Sequence, residues 1–201
     1  MNNINTIIFD FGGVLVDWNP RHMYNTVFSD RSEMENFLAH ICTDEWNLQQ
    51  DKGRTLSEGT KILQNKFPEH HGNIQLFYDR WEEMLKGEIH ANVALLKELK
   101  EKYKLYGLTN WSAETFPIAI NRYSFFDIFD GIVVSGVEKM IKPEEEIFHL
   151  ILKRYNLKSG NCLFIDDNLK NIHTAKKMGF CTIHVQEKTD LRADISLMGL
   201  L

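Results

Sequence analysis

An apolar run near the head of the chain, Ile4-Asn5-Thr6-Ile7-Ile8-Phe9, stops at Asp10 and continues into Phe11-Gly12-Gly13-Val14. A β-rich run that halts at a carboxylate and two glycines predicts a strand feeding a tight turn. In an open α/β sheet such a turn lies at the carboxyl edge of the strands, where ligands bind. A carboxylate there can be a nucleophile or a metal ligand. It can equally cap the helix that follows.

Three later runs repeat the arrangement. Leu105-Tyr106-Gly107-Leu108 ends at Thr109-Asn110, Ile132-Val133-Val134 is followed by Lys142-Pro143, and Cys162-Leu163-Phe164-Ile165 ends in Asp166-Asp167-Asn168. As parallel strands, these bring their polar ends to one edge. The carboxylates suit a hard cation bound through oxygen. Thr109 and the backbone N–H groups beyond it can hold phosphate oxygens at a helix start, and Lys142 adds a positive charge. The four features in this order describe a phosphate and metal site.

The spacing of the runs predicts the organisation. A whole βαβ unit takes roughly 30 residues, yet the first strand ends near residue 9 and the second begins near residue 104. A structureless loop of that length is uncommon in a compact protein. Helical patterns near residues 20–28, 32–41, 43–51, 57–67 and 73–85, with Ser32 and Ser57 as N-caps, make the surplus an inserted helical bundle. Core helices are expected near 91–102, 112–122, 144–155, 168–178 and 194–200. Pro143 should sit in a first helical turn and Gly179 should end a helix. A fifth strand is expected at 181–185. The fold class is therefore α/β: a Rossmann-like, doubly wound parallel core over residues 1–16 and 90–201, with a helical cap over 17–89.

This set of motifs resembles the haloacid dehalogenase superfamily of aspartate-nucleophile hydrolases. Motif one matches Asp10-Phe11-Gly12-Gly13-Val14, motif two Leu108-Thr109-Asn110, motif three Lys142-Pro143, and motif four Ile165-Asp166-Asp167-Asn168 with Asn171 a turn on. The nearest likeness is to the sugar-phosphate phosphatases with helical caps. The resemblance implies that Asp10 attacks phosphorus and forms an aspartyl phosphate. It implies Mg²⁺ held by Asp10, the Gly12 carbonyl and Asp167, supported by Asp166 and Asn171. Thr109, Asn110, Gly13 and Lys142 would hold the phosphate. The implied substrate is a small phosphorylated metabolite, a sugar phosphate in this branch. Asp44, Trp46, Asp51 and Arg54 lie where such a cap reaches the substrate, with ordinary packing as the alternative.

Gly12 departs from the pattern. Most phosphatases of this superfamily carry there a second aspartate, which protonates the leaving oxygen and then deprotonates water. General acid-base help is worth roughly 10²- to 10⁴-fold, about 3–5 kcal/mol of barrier. Either the leaving group needs little protonation, or another residue stands in, or the protein is no longer an efficient enzyme. Asp17 is the nearest candidate in sequence, if it is not a solvated turn carboxylate.

Two other activities fit the same residues. Carbon–halogen hydrolysis needs no acid at Gly12, because halide leaves unprotonated, but the pair Asp166-Asp167 is costly without a cation. A non-catalytic binding role on the same fold is the other. The net charge of −5 and the lack of a basic run argue against a nucleic-acid partner. No apolar run approaches the ~20 residues of a membrane span. Three cysteines in no zinc pattern and no leader-like N-terminus suggest the cytoplasm, as a monomer or a homodimer. His70-His71 has no third metal ligand nearby and reads as a loop, and His173 as structural.

Overall fold

The computed structural model describes residues 4–201; residues 1–3 of the expected core segment lie outside it. In chain order the strands are β1 (Thr6–Phe9), β2 (Val16–Trp18), β3 (Leu85–Glu88), β4 (Lys104–Thr109), β5 (Gly131–Val134), β6 (Cys162–Asp166) and β7 (Cys181–His184). Helices α1 (Pro20–Tyr24), α2 (Arg31–His40), α3 (Asp44–Asp51), α4 (Leu56–Lys66) and α5 (His71–Asp79) stand between β2 and β3. The later helices are α6 (His90–Lys100), α7 (Phe116–Arg122), α8 (Ser135–Glu138), α9 (Glu145–Arg154), α10 (Leu169–Lys177) and α11 (Leu191–Leu197).

Five strands form one parallel sheet in the order β5-β4-β1-β6-β7. β1 is central and all four of its residues are buried, as a strand covered on both faces requires. Successive side chains alternate between faces. Ile7 and Phe9 join Leu95, Leu96 and Leu99 of α6 in one core. Ile8 joins Ile147, Phe148 and Ile151 of α9 and Ile172 of α10 in another. Helices thus cover both faces, and the sheet is the expected Rossmann-like α/β core.

The Phe11 ring sits against Gly107 of β4, where an added Cβ would lie 2.2 Å from the ring Cζ. Phe126 and Phe129 meet the same ring edge-on, with centroids 4.9 and 5.2 Å away. The turn after β1 is therefore wedged into the core, which fixes where Asp10 emerges.

β2 and β3 were not expected. They pair antiparallel, Val16 with Glu88 and Asp17 with Gly87, and so close the base of the helical segment. The helix expected over 73–85 accordingly stops at Asp79. A 3₁₀ turn over Trp81–Met84 leads into β3 instead.

Ser32 and Ser57 are not N-caps. Asp30 accepts from the Ser32 and Glu33 amides, and Thr55 forms a capping box with Glu58, so each serine lies one residue inside the first turn. Pro143 precedes α9, whose cap residue is Glu144. α7 begins at Phe116 rather than near 112, because Trp111 donates its amide to Ser135 Oγ instead of entering a helix. α11 starts earlier than expected, at Leu191, where Asp190 accepts from the Ala193 amide. His71 opens α5 and the His70 ring packs on Phe37, with centroids 5.6 Å apart. Gly179 follows α10 with φ +88°. Among the described residues, no helix is long and apolar enough to cross a membrane.

Candidate active site

Phe9 pairs with Gly107 on one side and Ile165 on the other, so Asp10 and Asp166 leave the sheet side by side. Lys142 lies between them. Its side chain is fully buried, and its Nζ is 2.9 Å from Asp10 Oδ2 and 2.6 Å from Asp166 Oδ2. Asp10 Oδ1 accepts from the Phe11 amide at 2.7 Å. Asp166 is fixed further by the Asn168 amide at 2.8 Å and by Asn171 Nδ2 at 3.0 and 3.1 Å. Asn171 therefore orients Asp166 through its amide nitrogen, and its Oδ1 is buried without a hydrogen-bond partner.

Asp10, Asp166 and Asp167 each offer an oxygen within 4.8 Å of the others. Burial pushes Asp10 up to about 8; Lys142 opposes this, and Asp166 and Asp167 push the same way as burial. Asp167 is raised by desolvation and by the neighbouring Asp166 charge. Lys142 is driven down by burial, yet the two carboxylates leave it above its ordinary value. One ammonium thus faces three carboxyl groups, too little positive charge for all three to ionise readily. Oxygen donors at this spacing fit a hard divalent cation.

Thr109 is buried at the end of β4. The side chain of Asn110 binds the main chain of Lys142, Nδ2 to the carbonyl at 2.9 Å and Oδ1 to the amide at 2.8 Å. Gly13 has a different role from the expected phosphate donor. Its amide already donates to the Val16 carbonyl at 3.0 Å. Its backbone has φ +68°, and an added Cβ would lie 2.1 Å from Asp167 Oδ2. Gly13 makes room for that carboxylate. Gly12 faces open space: an added Cβ there would meet nothing within 4 Å.

A small cleft opens beside Gly12 and Asn110. Trp18, Trp81, Trp111 and Tyr78 supply ring surface, and Asn47, Asp51, Ser112 and Thr115 supply polar groups. Of the helical residues singled out from the sequence, Asp51 lines this cleft. Trp46 does not; it is buried on Phe77 and Tyr78 and donates its indole N–H to the Gly59 carbonyl at 3.0 Å. Arg54 folds back on α3, binding Gln50 Oε1 at 2.6 Å and the Trp46 carbonyl at 3.1 Å. Asp44 is exposed in the first turn of α3.

Asp17 precedes Trp18 on β2, where the pairing with β3 is irregular, and it is not among the residues that line the cleft with Trp18. Its carboxylate meets His22 Nε2 at 2.9 Å, so it is not placed to replace an acid at Gly12. Trp111 and Ser112, missed in the sequence, directly follow Asn110 and could have been found from it. Trp18, Asn47, Tyr78 and Trp81 come from separate elements and have no common sequence signal.

Comparison with known proteins agrees with this geometry. The family model for haloacid dehalogenase-like hydrolases matches residues 4–179. A sesquiterpene phosphatase of Aspergillus oryzae is 26% identical over 182 residues, 90% of this chain and 89% of that protein. A D-ribitol-5-phosphate phosphatase of Bacteroides thetaiotaomicron is 24% identical, covering 97% of this chain and 98% of its own length. The fold matches a HAD family enzyme of that organism, solved as a magnesium complex, with TM-score 0.75 at 23% identity over 96% of this chain and 98% of the other. The chain belongs to the haloacid dehalogenase-like hydrolases.

Proposed function

We propose that the protein is a Mg²⁺-dependent phosphatase that hydrolyses a small phosphorylated metabolite through a covalent aspartyl phosphate on Asp10. The observation that carries this reading is the convergence of Asp10, Lys142, Asp166 and Asp167 at the carboxyl edge of the sheet. Phosphatases among the relatives support it, as does magnesium in a structural neighbour.

Asp10, Asp167 and the Gly12 carbonyl would hold the cation, with Asp166 as an additional oxygen donor. When bound, it would offset charge on the transferring phosphoryl group. Asp10 is aimed by its hydrogen bond from Phe11 and by Lys142, and attacks phosphorus in line. Lys142 and Thr109 bind the phosphoryl oxygens. Residues 17–89 act as a cap that shields the acyl phosphate from stray water. The aromatic lining of the cleft accepts the C–H face of a sugar ring, in keeping with a sugar phosphate. It accepts other apolar faces of similar size as well.

The test is phosphate release from a panel of sugar phosphates and aryl phosphates, with MgCl₂ and with EDTA. Wild type should turn over only with the metal. Asp10→Asn should be inactive under every condition; retained activity in that variant removes the nucleophile.

A further inference from the structure

Resting on the phosphatase reading, we propose that Asp51 of α3 is the general acid and base that the chain lacks at Gly12. The geometry behind this is a shared cleft. Gly12 opens onto it with no side chain, and Asp51 is among the residues that line it. Gly12 is two residues from Asp10, so the leaving group of a substrate whose phosphorus faces Asp10 would extend into this cleft, where Asp51 can meet it.

Asp51 is held for such a task. Asn47 Nδ2 donates to Asp51 Oδ2 at 3.2 Å, Asn47 Oδ1 accepts from the Tyr78 hydroxyl at 2.9 Å, and that hydroxyl accepts from Gln50 Nε2 at 2.8 Å. The backbone at Asp51 is tied to the core as well. Ser135 Oγ donates to the Asp51 carbonyl at 2.5 Å, Lys52 pairs with Glu144 at 2.5 Å, and the Leu56 amide donates to Glu114 at 2.8 Å. A catalytic group carried by the helical segment is in this way registered against the sheet that carries the nucleophile.

The electrostatics agree. Burial pushes the Asp51 carboxyl up to about 7, with the Ser112 amide opposing. Among the residues lining the cleft, Asp51 and Tyr78 are the titratable ones, and burial raises Tyr78 far above its ordinary value. The nearby cations are otherwise engaged: Lys52 with Glu144, and Arg54 with Gln50 and the Trp46 carbonyl. Lys139, the residue after α8, lies against Gly53. A carboxyl group that is protonated for part of the time near pH 7 is matched to proton donation.

In the first step an Asp10 oxygen bonds to phosphorus and the ester P–O bond breaks. The departing oxygen takes that electron pair and the Asp51 proton, leaving as an alcohol. In the second step the Asp51 carboxylate accepts a proton from water as the water oxygen bonds to phosphorus. The P–O bond to Asp10 breaks, phosphate leaves, and both carboxyl groups return to their starting state.

The experiment compares kcat/KM for p-nitrophenyl phosphate and phenyl phosphate with MgCl₂ in wild type, Asp51→Asn and the double variant Gly12→Asp/Asp51→Asn. p-Nitrophenolate leaves without a proton, whereas phenolate needs one. Asp51→Asn should lose about 10²-fold or more on phenyl phosphate and less than tenfold on p-nitrophenyl phosphate. Gly12→Asp, whose side chain enters open space, should restore phenyl phosphate turnover in the double variant. In wild type the phenyl phosphate profile should fall above about pH 7, a limb absent with p-nitrophenyl phosphate; this reads the same group even if a variant folds poorly. Equal losses on both esters, or no loss, overturn the assignment of Asp51 while leaving the phosphatase reading intact. If wild type releases phosphate from neither ester and from no sugar phosphate of the panel, the phosphatase reading fails and the proposal fails with it.

Discussion

The side chain of Asn110 replaces a strand partner for Lys142: its carboxamide donates to the Lys142 carbonyl at 2.9 Å and accepts from the Lys142 amide at 2.8 Å. The residue that follows Thr109 at the end of β4 therefore dictates where the backbone of Lys142 lies. That placement sends the ammonium group inward between Asp10 and Asp166. Lysine has a long, flexible stem and a compact charge, so a fixed backbone is needed to hold it within 3 Å of two carboxylates.

Asn110→Ala removes both hydrogen bonds and leaves an amide and a carbonyl of the Lys142 segment without partners. A loss of about 1–3 kcal/mol in stability is expected, read from denaturant melts. Phosphate release should fall about tenfold or more as Lys142 loses its register. A variant with wild-type turnover would show that Lys142 is held by its own ion pairs alone.

Gly13→Ala tests the room made for Asp167. The backbone there has φ +68°, and the new Cβ would meet Asp167 Oδ2 at 2.1 Å. The carboxylate must move, and with it one of the three oxygens that approach each other within 4.8 Å. Magnesium affinity should weaken by about 10- to 100-fold, measured by titration calorimetry or by the shift of Tm with MgCl₂. An unchanged metal response in this variant would remove Asp167 from the ligand set.

Asp130 lies outside the site and tests the scaffold. It accepts from the Leu105 amide at 2.9 Å, from Lys100 at 2.6 Å and from Lys104 at 3.2 Å, tying the start of β5 to β4. Burial pushes its carboxyl up, but the bonds from Lys100, Leu105 and Lys104 outweigh this and leave it below the usual range. A group whose folded value is depressed stabilises the protein above its unfolded value, near 4, and loses that contribution as pH falls through the folded value. Asp130→Asn should thus cost about 1–2 kcal/mol near pH 7, with the lysine pairs adding little at the surface. The gap from wild type should close as the pH falls from that unfolded value through the depressed folded one. A gap that is constant with pH would assign the cost to packing rather than charge.

The central sheet and the site around its edge were legible because each signal is local. Asp10, Thr109 and Asp166 terminate apolar runs. A parallel strand buried on both faces must be apolar until it emerges, so its first polar residue marks the ligand-binding edge. Lys142 follows its strand at a short distance and was found by the same reasoning. The β2–β3 ribbon was not legible. Val16-Asp17-Trp18 is too short to show a period, and its partner carries Gly87 at its centre.

Capping shows the same limit on a smaller scale. Ser32 and Ser57 satisfy the composition rule for an N-cap, but so do Asp30 and Thr55 two residues earlier. The earlier residues took the position by accepting amide hydrogens, and Thr55 gained a reciprocal bond with Glu58. A choice between two competent residues depends on where the preceding chain enters the helix, which is set by packing.

The amino-acid sequence by itself determined the parallel sheet, the inserted helical segment, the family, and the residues gathered around Asp10. Those features follow from hydrophobic pattern and from residue types at strand ends, both short-range properties. Only the tertiary structure decided that Gly13 yields space to Asp167, that Asp17 pairs with His22, and that Asp51 rather than Trp46 or Arg54 shares a cleft with Gly12. The cleft is assembled from β2, α3, α5 and the segment after β4. Which side chains face one another across it depends on how those elements dock, and that information is absent from any one stretch of chain.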